Sequence, residues 1–368
     1  MMSTDLSARV AIIGGGLSGL LAAWRLQAQG VREVLVLEAR SRLGGRVHTL
    51  EGMDLGATWC WPEMQTDLQA LLDELGLRTF AQPDQGDMVW ERSAAQPPMR
   101  VPGMRSAPPS MRLHGGMGRL VDALHERLQP GTVRLGCTVQ QVARSEHGLR
   151  LDIKVDEGPG QLQSQACVAQ HVLLALPPRL VAGTLRFTPA LPPGVVQQWQ
   201  DTPTWMAPHA KYVAIYDRPF WREQGLSGEA RSACGPLGEI HDASMPDGSA
   251  ALFGFFGIPA HLRQGVPEAD LRAQCRAQLA RLFGPQASTP QAELFKDWAS
   301  DPYTATAADN DSLGQHPEAP ASGTSTGPWA GRLTGIGSEW SRQFPGYVAG
   351  AIEAASVGVR SLAAFSNP

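Results

Sequence analysis

The feature that most constrains the fold is the stretch VAIIGGGLSGLLAAWRL at residues 10–26, where an apolar strand leads into clustered glycines. Gly14, Gly16 and Gly19 form the pattern G-x-G-x-x-G between a predicted strand and a predicted helix. The first glycine permits a tight turn, the second lets a diphosphate approach the backbone, and the third lets helix and strand pack closely. A diphosphate would lie at the helix N-terminus, where N–H groups and the helix dipole favour an anion. A ligand-free turn beside a buried strand is the alternative.

Glu38 narrows the interpretation to a nucleotide. It lies 19 residues after Gly19, at the end of a second predicted strand within REVLVLEA. A carboxylate at this position accepts hydrogen bonds from both hydroxyls of an adenosine ribose, and its charge disfavours a 2′-phosphate. The βαβ unit therefore predicts an adenine dinucleotide, either NAD or FAD.

Composition excludes several other classes of protein. The 368 residues suffice for two domains, and 43% apolar with 18% charged residues are typical of a folded protein with a sizeable core. A net charge of −4 favours neither a nucleic-acid nor a membrane partner. The five scattered cysteines contain no C-x-x-C, which predicts reduced thiols in a cytoplasmic protein and no metal site. No apolar run reaches the roughly 18 residues of a membrane span, and no signal peptide is expected.

The residues that follow this strand resemble a known family. Glu38-Ala39-Arg40 and the RLGGR at residues 42–46 are similar to the FAD-binding signature of the flavin-containing amine oxidases, which include the monoamine and polyamine oxidases. The resemblance continues in the same order through DLGATW (54–59), LHGGMGRLVDAL (113–124), GCTVQQV (136–142), VLLALPPRL (172–180), LRFTPALPP (185–193), AKYVAIYDRPFW (210–221), DWASDPYT (297–304), GSEW (337–340) and PGYVAGAIEAA (345–355). It favours FAD over NAD.

The resemblance implies an α/β fold in two parts. A Rossmann-like FAD-binding domain is expected from the discontinuous segments 1–59, 114–178 and 295–368. A smaller α+β substrate-binding domain, with a mostly antiparallel sheet, is expected from residues 60–113 and 179–294.

The resemblance also assigns residues to the cofactor. Gly45 is expected to let the backbone pass close to the diphosphate, to which Arg40 and Arg46 supply positive charge. The flavin-linking cysteine of the monoamine oxidases falls on Ala307, so the FAD is expected to be non-covalent. The full set expected at the cofactor is Gly14, Gly16, Ser18, Gly19, Glu38, Ala39, Arg40, Gly45, Arg46, Gly56, Ala57, Thr58, Val139, Glu339 and Val348.

Lys211 and Tyr347 are the catalytic candidates that the resemblance gives. Lys211 matches the family lysine that holds a water at flavin N5, and a dry site would depress its pKa; a surface lysine on an edge strand is the alternative. Tyr347 matches one wall of the family's aromatic cage, or is a packed aromatic at a helix start. The second cage tyrosine falls on Ala308, so the cage is expected to be half-built or to be completed from elsewhere. The tryptophans considered for this pocket are Trp59, Trp61, Trp205, Trp298 and Trp340.

The activity implied is oxidation of a small-molecule amine. A hydride equivalent would pass from the carbon beside the nitrogen to flavin N5, and oxygen would reoxidise the flavin to give hydrogen peroxide. Two alternatives remain: an oxidoreductase or desaturase of the same fold acting on a C–C bond, and an FAD-binding partner protein without turnover. The sequence identifies neither the amine nor the oligomeric state.

Overall fold

The computed structural model describes residues 5–158, 160–246, 248–310 and 318–366. Its strands, in chain order, are β1 (Leu6–Ile13), β2 (Val34–Leu37), β3 (Thr49–Leu50), β4 (Met53–Asp54), β5 (Thr79–Ala81), β6 (Asp87–Glu91), β7 (Met99–Pro102), β8 (Met111–Leu113), β9 (Val133–Arg134), β10 (Cys137–Ser145), β11 (Gly148–Asp156), β12 (Leu162–Leu174), β13 (Arg186–Thr188), β14 (Ala210–Tyr216), β15 (Leu226–Ser232), β16 (Leu237–Asp242), β17 (Ala250–Phe256), β18 (Ala292–Asp297) and β19 (Leu333–Gly335). Its α-helices are α1 (Leu17–Ala28), α2 (Thr66–Leu75), α3 (Gly118–His125), α4 (Pro178–Thr184), α5 (Pro193–Asp201), α6 (Phe220–Glu223), α7 (Ala260–Arg263), α8 (Glu268–Phe283), α9 (Ala307–Asn310) and α10 (Val348–Ser366), and two 3₁₀ turns lie at Pro285–Ser288 and Ser338–Trp340.

The first of two compact units comprises residues 1–47, 120–206 and 302–368. Its sheet has the order β13-β10-β11-β12-β1-β2-β9, with β19 also beside β12. β1 is parallel to both β2 and β12, as the α1 crossover requires. Val10, Ala11 and Ile12 are buried, as in a parallel strand covered on both faces. The predicted βαβ unit is confirmed.

The second compact unit comprises residues 48–119 and 207–301, and its main sheet has the order β18-β14-β17-β16-β15-β6-β7. Neighbouring strands are antiparallel except β15 and β6, which are parallel. The strand β14, second from one edge of this sheet, sends alternate side chains to opposite faces. Tyr212 and Ala214 join one apolar cluster, whereas Val213 and Ile215 join another. Lys211 therefore lies on the face of Val213.

The expected fold class is confirmed: the chain is α/β, with one unit built from discontinuous segments and another around a mostly antiparallel sheet. The compact units and the expected domains end at different residues. Residues 48–59, 114–119 and 295–301, expected in the FAD-binding domain, belong to the second unit, and residues 179–206 belong to the first. The division into an FAD-binding and a substrate-binding domain stays a prediction. Among the described residues, no helix has the length and hydropathy needed to cross a membrane.

Candidate functional site

In the turn after β1, close packing requires two of the glycines, whereas Gly16 has open space beside it. Gly14 has φ +110°, and a Cβ there would come within 2.6 Å of the Ala175 carbonyl oxygen. A Cβ on Gly19 would overlap the carbonyl oxygen of Gly14. At Gly16 the nearest atom in the described structure, the Gly44 carbonyl oxygen, is 3.8 Å away from such a Cβ. Packing therefore explains the first and third glycines, while the open space at Gly16 fits close approach of a ligand to the backbone.

The carboxylate of Glu38 is fixed against this turn. Only 3% of the residue is exposed. The Gly15 N–H donates to Oε2 at 2.7 Å, and the Arg40 N–H donates to Oε1 at 2.9 Å. An ionised carboxylate has about four acceptor sites, so these two bonds leave capacity for a pair of hydroxyls. The residues present therefore fit the ribose of a dinucleotide.

Arg40 lies beside the same carboxylate, and the start of β10 is bonded to the Glu38 backbone. The Arg40 guanidinium is 3.6 Å from the Glu38 carboxylate and donates to Thr304 Oγ1 at 3.0 Å. The Cys137 N–H donates to the Glu38 carbonyl oxygen at 2.8 Å. This bond anchors β10, in which the side chain of Val139 packs into the apolar core. Any contact of Val139 with adenine would therefore be made by its backbone atoms.

Arg46 and Glu339, which the sequence assigns separately to the cofactor, form an ion pair. Arg46 donates to the two carboxylate oxygens of Glu339 at 2.5 and 2.8 Å and to Ser338 Oγ at 3.1 Å. The Glu339 side chain has no exposed surface. Burial by itself would lower the pKa of Arg46, but the adjacent carboxylate more than offsets it, so the pKa lies above its usual value. The pair is thus held charged, and Glu339 fixes the direction of the guanidinium.

Trp205 and Tyr347 are brought together in the first unit. Their ring centroids are 6.5 Å apart, and the ring planes differ by 28°. Tyr347 directly precedes α10, which begins at Val348. Gly346 has φ +84°, which is outside the helical region, so the helix begins after it.

Lys211 is a buried cation of the second unit. It is 1% exposed and donates to Thr58 Oγ1 at 2.5 Å and to the Gly56 carbonyl oxygen at 3.5 Å. Its Nζ lies 4.0 Å from the centre of the Phe253 ring. Burial lowers its pKa from 10.5 to about 7; the charge of Asp54 opposes this shift and that of Arg112 adds to it. The loop residues expected at the cofactor, Gly56, Ala57 and Thr58, thus surround an amine that titrates near neutral pH.

The other tryptophan candidates take part in packing. Trp59 meets the His241 ring edge-on at 4.9 Å, and Trp61 donates to Ser110 Oγ at 3.1 Å. Trp298 is 4% exposed and donates to the Leu55 carbonyl oxygen at 2.9 Å. Trp340 lies in the apolar core of the first unit. The role of these tryptophans in a substrate pocket stays a prediction.

The sequence analysis did not identify two buried charged residues near Lys211. Asp54 Oδ1 accepts hydrogen bonds from Thr49 Oγ1 at 2.5 Å and from the Met117 N–H at 2.8 Å, and burial raises the pKa of Asp54. Arg112 is 1% exposed and donates to the carbonyl oxygens of Ala243 and Ser244. Isolated charges in the apolar contexts GMDLGA and SMRLHG are the sequence signal that could have found them.

No metal centre accompanies these residues within the part of the chain that the structure describes, where three or more His, Cys, Asp or Glu side chains nowhere gather in a metal-holding arrangement.

Comparison with known proteins agrees with these features. Residues 17–112 and 90–356 match the family model described as flavin-containing amine oxidoreductase. A probable flavin-containing monoamine oxidase A of Dictyostelium discoideum is 25% identical, with 94% of this chain and 95% of that protein covered. A putrescine oxidase of Kocuria rosea is also 25% identical, at 89% and 90% coverage, and an L-amino acid dehydrogenase of Synechocystis is 24% identical, at 98% and 96%.

Solved structures resemble the chain over nearly its whole length. A putrescine oxidase bound to putrescine has a TM-score of 0.76 at 23% identity, covering 98% of this chain and 99% of that one. A cyclohexylamine oxidase from Brevibacterium oxydans has a TM-score of 0.76 at 21% identity, with 98% and 99% covered. These likenesses show a shared fold.

Proposed function

The chain belongs to the flavin-containing amine oxidoreductases, and on that premise we propose that it oxidises a small amine with oxygen as the electron acceptor. FAD is its cofactor, as the family match implies. When bound, FAD would accept a hydride equivalent from the carbon beside the nitrogen and pass two electrons to oxygen, giving hydrogen peroxide and, with loss of the N–H proton, an imine that water hydrolyses. Glu38 would hold the adenosine ribose, and the open backbone at Gly16 would admit the diphosphate.

The observation that carries the proposal is the buried Lys211. A protonated amine has three N–H donors, of which Thr58 and Gly56 accept two. We assign the third to a water at flavin N5, following the family resemblance. A pKa of about 7 leaves the amine part protonated at neutral pH, so Lys211 can either place positive charge or pass a proton. That capacity suits a reaction in which negative charge develops on oxygen.

An anaerobic screen tests the proposed function. The holoprotein is mixed with amines, including putrescine and cyclohexylamine, and with L-amino acids, and loss of the oxidised flavin absorbance is followed. Readmission of air should restore the absorbance and release one hydrogen peroxide per flavin. If amino acids reduce the flavin and amines do not, amino acids would be the substrate class in place of amines. Failure of every amine and amino acid to reduce the flavin would overturn the proposal.

We expect the FAD to be non-covalent. Ala307 stands where a cysteine forms the flavin link in the monoamine oxidases, and a methyl side chain cannot form a thioether. Acid precipitation should therefore leave FAD in the supernatant, measured by its absorbance and by chromatography. Flavin retained in the protein pellet would contradict this expectation.

Replacing Lys211 with methionine should slow reoxidation by oxygen about tenfold or more, equivalent to roughly 1.4 kcal/mol of activation free energy. Methionine keeps most of the side-chain volume and removes the charge that stabilises developing negative charge on oxygen. Anaerobic reduction by an amine should fall less, since it depends mainly on positioning in a dry site. Stopped-flow absorbance measures the two half-reactions separately.

The pH dependence adds a second readout for Lys211. Its depressed pKa means that the amine is charged below about pH 7 and neutral above it. The rate of reoxidation in the wild type should therefore fall as pH rises through about 7, and this dependence should disappear in Lys211→Met. The matched control is Lys154→Met, an exposed lysine of β11 in the first unit. Equal rates for wild type and Lys211→Met in both half-reactions would remove Lys211 from the active site.

A further inference from the structure

Two buried charges of the second unit act on the Lys211 amine. Asp54 begins the segment DLGATW, in which Gly56 and Thr58 accept the hydrogen bonds of that amine. Arg112 lies directly before the segment LHGGMG. We propose that Asp54 and Arg112 are positioning residues that act on Lys211 with opposite sign: the carboxylate holds the proton on the amine, and the guanidinium favours its release. This inference rests on the proposed amine oxidation, in which the charge of Lys211 aids the transfer of electrons to oxygen.

The first argument is the fixed orientation of Asp54. It is 4% exposed, and its Oδ1 accepts hydrogen bonds from Thr49 Oγ1 at 2.5 Å and from the Met117 N–H at 2.8 Å. A Cβ added to Gly116 would lie 2.9 Å from the same oxygen, so a glycine at this position lets the chain close over the carboxylate. Two donors directed at one carboxylate oxygen favour the ionised form.

The second carboxylate oxygen leaves the charge of Asp54 to act on its surroundings. Oδ2 is buried, and among the described residues it has no hydrogen-bond partner. A charge that is enclosed in a protein acts on a neighbouring charge more strongly than it would in water. Because Asp54 and the two acceptors of the amine belong to one short segment, the carboxylate is held near Lys211 by the chain itself. It therefore stabilises the protonated amine.

The second argument is the permanent charge of Arg112. It is 1% exposed and donates to the carbonyl oxygens of Ala243 at 2.8 Å and Ser244 at 3.1 Å. These carbonyl groups orient the guanidinium without cancelling its charge. Arg112 therefore compensates the Asp54 carboxylate, so that Lys211 can lose its proton without leaving a buried charge uncompensated. With Arg112 absent, the carboxylate would keep the proton on the amine.

The other groups around the amine are uncharged or engaged elsewhere. Strand β17 places the rings of Phe253 and Phe255 at 4.0 and 5.4 Å from Lys211 Nζ. The titratable groups on the elements around Lys211 and Arg112 have contacts of their own: Lys296 of β18 with Asp301, Glu239 of β16 with His241, Asp242 with Arg222, and the ring of His209 with that of Phe255. Substitution of Asp54 or Arg112 should therefore move the proton of Lys211 through charge.

Lysine NMR tests the proposal without turnover. The chain has three lysines, Lys154, Lys211 and Lys296, so holoprotein made with carbon-13 lysine gives few side-chain signals. The signal that Lys211→Met removes is that of Lys211. The carbon-13 shift of its Cε is followed against pH, in air and without amine. Flavin absorbance and thermal midpoints check that each protein is folded and holds FAD.

The expected shifts have opposite signs. Asp54→Asn should lower the pKa of Lys211 from about 7 to about 6 or below, because it removes a buried opposite charge. Arg112→Gln should raise this pKa, because it removes a like charge. Asp54→Glu keeps the charge and should stay closer to the wild type than Asp54→Asn does. The control is Asp73→Asn, which changes an exposed carboxylate of α2 in the same unit and should match the wild type.

The rate of reoxidation by oxygen should follow the pKa that NMR gives. At pH 7, Asp54→Asn should be about fivefold slower than the wild type, since the protonated fraction falls from about one half to about one tenth. Acidification should restore the wild-type limiting rate in this variant, which a merely structural defect would not allow.

An unchanged pKa of Lys211 in Asp54→Asn, or shifts of the same sign in Asp54→Asn and Arg112→Gln, would overturn the inference. If one of these two variants does not fold, the direction found for the other decides. Shifts with the expected signs, without flavin reduction by any amine, would overturn the proposed oxidation alone.

Discussion

Glu38→Ala is expected to weaken FAD binding by roughly 30- to 1000-fold, equivalent to about 2–4 kcal/mol. The variant loses the acceptor that we assign to the ribose hydroxyls. It also leaves the Gly15 N–H, which donates to the carboxylate at 2.7 Å, without its partner in the glycine turn. Equilibrium dialysis of FAD with the apoprotein, after reversible removal of the cofactor, gives the change in Kd.

Glu38→Gln is the matched control for charge. Its amide oxygen keeps one acceptor for the N–H of Gly15 or of Arg40, whereas the charge that faces Arg40 is lost. Its affinity for FAD should lie between those of wild type and Glu38→Ala. An alanine variant that binds FAD as tightly as the wild type would contradict the assignment of this turn to the dinucleotide.

Arg46→Ala is expected to lower the free energy of unfolding by about 3–5 kcal/mol, the range for removing one partner of a buried ion pair. Glu339 has no exposed side-chain surface, so its carboxylate would remain buried with the bidentate partner gone. Urea unfolding in excess FAD measures the change while keeping the cofactor present in both proteins.

The double variant Arg46→Met with Glu339→Gln separates the ion pair from simple loss of volume. It removes both charges, so it should recover much of the stability that Arg46→Ala loses. Arg46→Lys should be intermediate, because an ammonium cannot reproduce the two-point contact of a guanidinium. A wild-type unfolding midpoint for Arg46→Ala would show that the pair does not form in solution.

The parts of the site that the sequence predicted are local in the chain. The strand, turn and helix around Gly14 depend on periodicity and on glycine positions within a few residues, and α1 was predicted at residues 17–29 and found at Leu17–Ala28. Glu38 could be recognised because the length of one βα unit fixes its spacing from the turn. Sequence patterns are sufficient for this part of the site because only one helix separates the two strands that form it.

The remaining features depend on contacts between distant residues. Arg46 meets Glu339 across 293 positions, and nothing in either flanking sequence names the other as its partner. The sequence does not distinguish Trp205 from Trp340. In the structure, Trp205 lies beside Tyr347, whereas Trp340 packs in the apolar core of the first unit. Asp54 and Arg112 stand as single charges in apolar stretches, which is a local signal of burial, but the sequence does not reveal that both charges act on Lys211.

The position of β12 in the first sheet has a consequence for synthesis of the chain. Leu6 in β1 pairs with Cys167 in β12, so 161 residues (167 − 6) must be made before this partner exists. At about 5–20 residues per second on the ribosome, β1 waits for roughly 8–32 s. During that interval an apolar strand edge has no native neighbour on that side and is open to pairing with other chains. The rate of translation therefore sets a lower limit to the period of exposure to aggregation.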